Sequence, residues 1–332
     1  MPELPEVETV RRGLDQLITG KTISTINHNN DKSFPNNQDS VDQFMIGAKV
    51  TQVKRRAKVL LIELSTNYTV MVHLKMTGQL VFVAEATNQT RNTKLEIRNK
   101  LERQKSLNEE SFEFRVSNLE IPKSEELRFG AGHPNDSLVG SLPDRSTRVT
   151  LHFTDETKLY FNDQRRFGWV KLLPTHLVKA EPFMQKVGPE PLEPEFTSDV
   201  FTTRIKRRKG TSVKAAILDQ TVLAGVGNIY ADESLWAAKI HPASIVGSVR
   251  NAQLDQLHKE IVDVMNLSIE KGGSTNKNYV DAEGKRGSYM EFANVFRREG
   301  QPCNRCGSII EKSRVAGRGT HTCPSCQVAP AI

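Results

Sequence analysis

The chain has 332 residues, of which 46 are lysine or arginine and 39 are aspartate or glutamate, so its formal net charge is +7. This length is enough for about two domains of ~150 residues each. The hydrophobic content of 37% is ordinary for a soluble protein. No apolar run approaches the ~20 residues of a membrane-spanning helix, and the N-terminus lacks the pattern of a secretory signal peptide. We therefore expect a soluble, intracellular protein.

Residues 4–18 are predicted to form a helix close to the N-terminus. Pro5 suits the first helical turn, where its missing N–H removes no hydrogen bond. Glu6 and Glu8 are favourable at the positive end of the helix dipole. Apolar residues then recur at helical spacing until Gly20 ends the pattern. So rigid and acidic a start is unusual, because chain ends are commonly frayed.

Short runs of β-branched and apolar residues follow, bounded by turns, and they predict strands. The clearest runs are 58–64, 68–74, 148–153, 158–161 and 169–173. We expect a β-sandwich domain over 1–180 whose first element is the N-terminal helix. Within it, residues 83–142 are highly charged and poor in large apolar residues. They predict a solvated, partly disordered insertion, or a short charged helix near 94–105.

The second half of the chain changes from strand to helix periodicity. Residues 181–198 contain four prolines and predict a stiff interdomain linker. Helical spacing then predicts a helical domain over 199–285. Residues 286–332 are loop-like and then resemble a β-hairpin. Helices are predicted at 197–207, 212–219, 228–238 and 248–271. The predicted fold class is α+β with two domains.

Basic residues are concentrated in three separate stretches of the chain. They are 54–58, 204–214 and 285–318, and the second of these contains six basic residues and no acidic one. Such clusters predict a positive surface that could follow a phosphate backbone. Ordinary solvated basic faces are the alternative.

The cysteines have the spacing of a metal site, Cys-x2-Cys-x16-Cys-x2-Cys. They are Cys303, Cys306, Cys323 and Cys326, and the chain has no others. Two Cys-x2-Cys turns can complete a tetrahedron of thiolates around zinc, whereas the alternative of two disulfides is disfavoured in a reducing cytosol. Four thiolates leave no open coordination position, so the zinc ion would be structural. It would stiffen the hairpin that carries Arg318, a candidate phosphate ligand.

The second residue could be a nucleophile. The initiator methionine is normally removed before a small residue, so the mature chain is expected to begin at Pro2. A terminal amine titrates near pH ~8, against ~10.4 for lysine, so more of it is neutral at physiological pH. Attack on a sugar C1′ would give an iminium cation, and Glu3 could transfer protons beside it. Many proteins begin Met-Pro-Glu without such chemistry, and this stretch alone leaves that alternative open.

Seven motifs, in one order and spacing, resemble formamidopyrimidine-DNA glycosylases. They are MPELPEVETVRRGL, RRAK (55–58), HLKMTG (73–78), DQRRFG (163–168), GPEPL (188–192), AGVGNIYADE (224–233) and the zinc motif with GRGTH. The resemblance covers nearly the whole chain except 83–142. It implies a DNA-repair enzyme that removes 8-oxoguanine and formamidopyrimidines from double-stranded DNA, opposite cytosine. The enzyme would then cleave the abasic site by β- and δ-elimination.

Matching motif positions assign roles that remain expectations at this stage. Pro2 would be the Schiff-base nucleophile and Glu3 the general acid and base. Lys58 would transfer a proton in β-elimination or contact phosphate, and Arg318 would bind phosphate and assist δ-elimination. The resemblance also implies one structural zinc ion, a monomer, and a bacterial-type cytoplasmic location near the nucleoid or another reducing compartment that contains DNA.

Other positions match DNA-contacting residues of the family. Met76, Arg165 and Phe167 would fill the void left by an extruded base. The remaining candidates are His73, Lys209, Lys214, Asn228 and Tyr289, with 272–279 as the lesion-reading loop. Asn228 would open a helix of a helix–two-turn–helix element, whose N-terminus favours phosphate. Ser146 replaces a common histidine and Gln164 a common proline, so the contacts at these positions are in doubt.

Two other functions remain open. The related endonuclease VIII class prefers oxidised pyrimidines and shares the terminal Pro-Glu and the zinc finger. It lacks the Arg165–Gly168 motif, and Leu4 also favours the purine-specific class. A zinc-ribbon DNA-binding protein without catalysis would account for the charge and the cysteines but would leave Pro2 and Glu3 without a role.

Overall fold

A computed structural model of the chain describes residues 2–85, 140–274 and 289–328, together with the backbone of 126–132. Within these ranges, strands dominate the first half and helices the second. No helix of the described chain has the length and apolar character needed to cross a bilayer.

Helix α1 (Leu4–Ile18) begins two residues after Pro2, as predicted. Its N-cap is Glu3, which exchanges capping-box hydrogen bonds with Glu6. One apolar face of the helix packs into the core of the first domain, whereas Leu4 packs into the core of the second. The first turn of α1 therefore lies where the two domains meet.

The first domain is a sandwich of two antiparallel sheets. One sheet has the strand order β1-β7-β8-β5-β6 and the other β2-β3-β4-β9. The strands are β1 (Ile23–His28), β2 (Val50–Arg56), β3 (Val59–Leu64), β4 (Tyr68–His73), β5 (Gly78–Glu85), β6 (Glu126–Gly132), β7 (Thr147–Phe153), β8 (Lys158–Asp163) and β9 (Trp169–Pro174). Helix α2 (Gln38–Phe44) lies between β1 and β2. The facing sheets and α1 enclose one apolar core, so the predicted sandwich is confirmed.

Strand β6 falls inside the segment predicted to be a charged insertion. Its backbone pairs antiparallel with β5, from Gln79↔Gly132 to Glu85↔Glu126. Composition alone does not predict this pairing, because a partner strand can order a segment of weak intrinsic preference. The alternative helix near 94–105 lies outside the described residues.

The second domain is helical. Its helices are α4 (Ser198–Ile205), α5 (Val213–Leu218), α6 (Asn228–Ala237) and α7 (Asn251–Glu270), followed by the single turn α8 (Tyr289–Phe292). They enclose a second apolar core, separate from that of the sandwich. The four predicted helices are confirmed to within a few residues at each end.

The zinc-finger segment packs on α6. Strands β10 (Glu311–Val315) and β11 (Arg318–Thr322) form the predicted hairpin. A small core joins Trp236 of α6 to Val295, Ile310 and two of the cysteines. The domain boundaries inferred from composition, after residues 180, 198 and 285, stay predictions.

The segment between the domains is anchored by a buried carboxylate. Helix α3 (Pro182–Lys186) opens the segment, and Glu190 follows it with only 4% of its side chain exposed. Glu190 binds the guanidinium of Arg55 at 2.7 Å and that of Arg56 at 3.4 Å, and it accepts the N–H of Ala57. The linker therefore holds the β2–β3 turn, which consists of Ala57 and Lys58.

Replacing Glu190 by alanine should cost about 3–5 kcal/mol of stability, because Arg55 would remain buried without its nearer partner. Urea denaturation at a fixed zinc concentration measures this loss. Glu195→Ala, an exposed change on the same segment, should stay within about 0.5 kcal/mol of wild type. Equal stabilities for the two variants would contradict this account of the linker.

Candidate active site and DNA-binding surface

Two glycines let the loop before α6 touch the start of α1. The N–H of Leu4 donates to the carbonyl of Gly225 at 3.0 Å. Gly225 has a φ of +83°, and a Cβ there would lie 2.4 Å from Leu4 Cδ1. A Cβ on Gly227 would lie 2.2 Å from Glu3 Cδ. A larger residue at either position would separate α1 from this loop.

This contact buries the carboxylate of Glu3 beside Pro2. Glu3 is 5% exposed and accepts the N–H of Ile229 at 3.1 Å at the first turn of α6. Burial raises the pKa of Glu3, the charge of Lys58 lowers it and that of Glu6 raises it, and the net result is a pKa of about 7. A carboxyl that titrates near neutrality can both donate and accept a proton.

Lys58 reaches the same loop from the sandwich. It follows Ala57, whose φ of +53° turns the chain between β2 and β3. Its Nζ donates to the carbonyl of Val226 at 3.2 Å, and the side chain is 5% exposed. Burial lowers the pKa of Lys58, the carboxylates of Glu3 and Glu6 oppose that shift, and the charge of Arg318 adds to it. An ammonium with a lowered pKa is better suited to proton transfer near neutral pH.

Glu6 ties the first turn of α1 to the second domain. Its Oε2 accepts the N–H of Glu3 at 2.8 Å. Its Oε1 accepts the hydroxyl of Tyr230 and both the N–H and Oγ of Ser274 at 2.8 Å. Ser274 belongs to the predicted lesion-reading loop, and 275–279 lie outside the described residues. A movement of that loop would therefore alter the hydrogen bonds of Glu6, which also binds the N–H of the N-cap residue Glu3.

The three predicted void-filling residues lie together on the surface. Met76 is 41% and Phe167 54% exposed, which is high for apolar side chains. The guanidinium of Arg165 lies 5.0 Å from the ring centre of Phe167, and its Nη1 is 3.4 Å from Met76 Sδ.

Asp163 holds the loop that carries two of these residues. It is 1% exposed and accepts the N–H of Arg165 at 3.2 Å and that of Gly168 at 2.7 Å. It also accepts the hydroxyl of Thr77. The exposed residues are thus presented on a rigid support.

His73 is buried beside the aromatic side chains Trp169 and Phe183. Its Nδ1 accepts the N–H of Lys75 at 3.0 Å, so the ring proton lies on Nε2. Burial, together with Lys75 and Lys58, lowers the pKa of His73 to about 3. The imidazole is therefore neutral at physiological pH and can act as a hydrogen-bond donor.

Lys214 joins α5 to the zinc-finger hairpin. Its side chain is fully buried, with Nζ 2.6 Å from Asp232 Oδ1. Nζ also donates to the carbonyl of Gly319 at 2.9 Å and to Thr320 Oγ1 at 2.8 Å. Direct contact of Lys214 with DNA stays a prediction, and it would require Nζ to leave these partners.

Asp232 fastens the second strand of the hairpin with its other oxygen. Oδ2 accepts the N–H of His321 at 3.0 Å. The carbonyl of Gly319 also accepts Asn228 Nδ2 at 3.0 Å. Arg318 is therefore placed next to the N-terminus of α6.

The four cysteine sulfur atoms lie within 4.8 Å of one another. A tetrahedral zinc site with Zn–S bonds of about 2.3 Å has sulfur atoms about 3.8 Å apart. All four thiols are free rather than paired as disulfides. Cys303 Sγ also accepts hydrogen bonds from Trp236 Nε1 and the N–H of Arg305, both at 3.4 Å, which suits a thiolate ligand. The cysteines form a zinc-binding site, as predicted.

The remaining residues discussed as DNA contacts differ in their exposure to solvent. Lys209 is exposed near Gly247, whereas Tyr289 is 1% exposed and packs 5.4 Å from the ring of Tyr230. Ser146 is buried and donates from both N and Oγ to Asp144. DNA contacts by Lys209 and Tyr289 stay predictions.

Three family models match the chain in order. They describe the formamidopyrimidine-DNA glycosylase N-terminal domain (residues 1–170), its H2TH domain (187–279) and a zinc finger found in FPG and IleRS (300–328). The chain belongs to the formamidopyrimidine-DNA glycosylase family.

Individual relatives match over their full length. Formamidopyrimidine-DNA glycosylase of Latilactobacillus sakei is 34% identical over 99% of this chain and 98% of its own. That of Herpetosiphon aurantiacus is 37% identical over 98% and 100% of the two chains.

Solved structures of this family superpose on the whole fold. A Lactococcus lactis FPG mutant in complex with DNA that contains Fapy-dG has a TM-score of 0.76 and 28% identity, covering 99% of this chain and 100% of that one. MutM in complex with carbocyclic 8-oxo-G DNA has a TM-score of 0.75 at 28% identity, with the same coverage.

Sequence reasoning missed the supporting residues Glu6, Asp163, Asp232 and Glu190. All four stand within the motifs quoted above, and Asp232 stands four residues after Asn228. No local pattern marks Glu190 or Asp232, because their partners Arg55 and His321 lie far away along the chain.

A Glu3→Gln variant should be more stable than wild type at pH 8, by up to about 3 kcal/mol at ~1.4 kcal/mol per pKa unit. The unfolded chain titrates near the ordinary value of 4.5, and the native carboxyl near 7. Stability from the protonated group is thus complete below pH 4.5 and is lost as pH rises through 7. Urea denaturation at pH 5 and pH 8 should show the gain at pH 8 and little at pH 5. Glu195→Gln should show no such dependence, and equal gains at both pH values would contradict the burial argument.

Asp232→Asn should loosen the hairpin, because it leaves the ammonium of Lys214 buried without its anionic partner, a loss of about 3–5 kcal/mol. Hydrogen exchange of the amides of 318–322 should accelerate while zinc stays bound. The control is Asp263→Asn, which removes an exposed ion pair with Lys259 on α7 and should change stability by less than about 1 kcal/mol. Unchanged exchange in the Asp232 variant would refute the anchoring role.

Proposed function

We propose that this protein is a base-excision repair DNA glycosylase and AP lyase that removes oxidised purines from duplex DNA. The observation that carries the proposal is Glu3, a buried carboxyl with a pKa of about 7 next to Pro2. The relatives supply the substrate class, since family members are solved with Fapy-dG and 8-oxo-G DNA. Family membership supports both the glycosylase and the lyase activity.

In the first step, the neutral amine of Pro2 attacks C1′ of the damaged nucleotide. The N–C1′ bond forms as the bond from C1′ to the base breaks, and the base leaves with a proton. Glu3 supplies protons and later accepts them, because about half of it is protonated near pH 7. Glu3 takes the proton from the Pro2 nitrogen and gives it to O4′, and the nitrogen lone pair forms the C=N bond as the C1′–O4′ bond breaks. The product is an iminium that links Pro2 to the open deoxyribose.

Elimination then breaks the strand. The iminium makes the C2′ hydrogen acidic, and its removal expels the 3′ phosphate by breaking the C3′–O bond. Lys58 lies in the same buried cluster as Glu3 and is suited to this proton transfer or to holding the phosphate. Arg318, exposed on the anchored hairpin, would bind the phosphate that leaves in the second, δ-elimination.

The exposed trio of Met76, Arg165 and Phe167 would support the extruded base. Extrusion costs a few kcal/mol and leaves a void in the stack. A thioether and an aromatic ring can fill that void and wedge the neighbouring step. The guanidinium of Arg165 can donate hydrogen bonds to the unpaired partner base, for which we propose cytosine.

The proposed function also gives roles to the other residues that match DNA-contacting positions of the family. Asn228 at the N-terminus of α6 and Lys209 would bind backbone phosphate, and His73 would donate from Nε2. Lys214 and Tyr289 would act near the lesion from buried positions. Zinc would hold the hairpin and take no part in the chemistry. We propose a monomer that works in a reducing compartment containing DNA.

Borohydride should trap a covalent adduct between the protein and an 8-oxoguanine:cytosine duplex, because reduction of the iminium fixes the link to the sugar. Peptide mapping should place the sugar on Pro2. A thymine-glycol duplex under the same conditions should give much less adduct, whereas the opposite preference would favour a pyrimidine-specific enzyme.

An uncleaved N-terminal tag is the matched control, since it converts the amine to an amide and should abolish trapping while DNA binding persists. Tight binding of lesion DNA without any adduct from the untagged protein would indicate a binding protein without catalysis. An adduct mapped to a lysine would overturn the assignment of Pro2.

A further inference from the structure

A basic pocket lies beside the turn that leads into α6. Its volume is about 320 Å³, at the lower end of the range for ligand pockets. The lining residues are Lys186, Arg204, Arg207, Arg208, Thr221 and Val222. Three of the four cations come from the basic stretch at 204–214, and the fourth ends α3.

Two of the arginines are held in place by the pocket wall. Arg204 donates from Nε to the carbonyl of Val222 at 3.0 Å and from Nη2 to that of Thr221 at 2.6 Å. Arg208 donates from Nη2 to Asp219 Oδ2 at 2.7 Å and to Thr221 Oγ1 at 3.3 Å. Because these guanidinium groups are already positioned, a ligand would cost them little side-chain entropy.

The other two cations have no such partners. Lys186 and Arg207 are exposed, and within the described part of the chain neither side chain has a hydrogen bond or an ion pair. Among the residues that the structure describes, Asp219 is the one carboxylate that forms an ion pair with any of the four lining cations. The pocket therefore concentrates positive charge that an anion would offset. Fixed guanidinium forks and a flexible ammonium suit the oxygens of a phosphate.

The pocket wall and the loop before α6 that contacts α1 belong to one segment, 219–227, which is held together by internal hydrogen bonds. Gln220 accepts the N–H of Gly225 at 2.9 Å and donates from Nε2 to the carbonyl of Val226 at 2.8 Å. That carbonyl also accepts Lys58 Nζ. The residue after Gln220 is Thr221, which lines the pocket.

We propose that this pocket binds a phosphate group, and that in the repair complex the phosphate belongs to the DNA backbone. Phosphate binding follows from the pocket alone, whereas the choice of DNA as its source rests on the proposed function. Free phosphate is the other source of the same chemistry. Occupancy would fasten the DNA to segment 219–227, whose other end contacts Glu3 and Lys58.

The test uses the full chain with Lys186→Glu and Arg207→Glu, two exposed positions whose side chains support no contact in the described structure. The control carries Lys49→Glu and Lys179→Glu, also exposed and unpaired there, with the same change of net charge. Lys49 precedes β2, at the end remote from Lys58 by about 20 Å of strand. Binding is measured by fluorescence anisotropy against sodium chloride, with a duplex that carries a tetrahydrofuran abasic-site analogue.

We expect the pocket variant to bind this duplex about tenfold or more weakly than the control. The slope of log K against log[NaCl] should be smaller in magnitude by about 1–2 than that of the control. Borohydride trapping, measured on the 8-oxoguanine:cytosine duplex at saturating enzyme because the tetrahydrofuran analogue has no leaving group at C1′, should be unchanged. Loss of trapping in wild type would count against the proposed function, whereas unchanged trapping with weakened binding isolates the pocket.

Calorimetry with inorganic phosphate supplies the second arm. If the two variants bind DNA equally and wild type binds phosphate that the pocket variant does not, the source is free phosphate rather than DNA. Equal DNA binding together with no phosphate binding by wild type would overturn the proposal.

Discussion

The burial of one carboxylate, that of Glu3 against the first turn of α6, is the contact on which the rest of the site depends. It requires that the backbone of Gly225 and Gly227 approach α1 more closely than any side chain would permit. Burial is the main reason that the pKa of Glu3 is raised to about 7, close to physiological pH. The same contact places Pro2, Lys58 and the N-terminus of α6 around one point.

This arrangement is electrostatically costly. Two carboxyls and one ammonium, those of Glu3, Glu6 and Lys58, are gathered where water is largely excluded, and isolated charges are unfavourable there. The protein compensates with hydrogen bonds from both domains, notably from Tyr230 and Ser274 to Glu6. Under the proposed function, this loss of stability would be exchanged for reactivity at the N-terminus, as is common at catalytic sites.

The same principle extends outward from the site. Two exposed residues with proposed roles on DNA lie on segments held by a buried acid: Asp163 holds the loop of Arg165, and Asp232 holds the hairpin of Arg318. The zinc site completes the second support, because the finger would otherwise have only a small core against Trp236. Lys214 shows how these roles can overlap, since a lysine expected near the lesion also closes the ion pair that holds the hairpin.

The sequence by itself determined the helices, most strands, the zinc cysteines and the family. These depend on local spacing, such as the Cys-x2-Cys turns, the helical repeat of 4–18 and the alternation along 148–153. The motifs around Pro2, Met76 and Arg165 were also readable, because each is contiguous in the chain.

Only the tertiary structure decided which of these residues meet, and in what state. Burial raises the pKa of Glu3, and Lys58, which lies fifty-five positions further along the chain, lowers it. The partners of Lys214 lie on α6 and the hairpin, and β6 is paired along β5. Burial, charge coupling and strand pairing depend on distances across the fold, and no local pattern in a sequence encodes them.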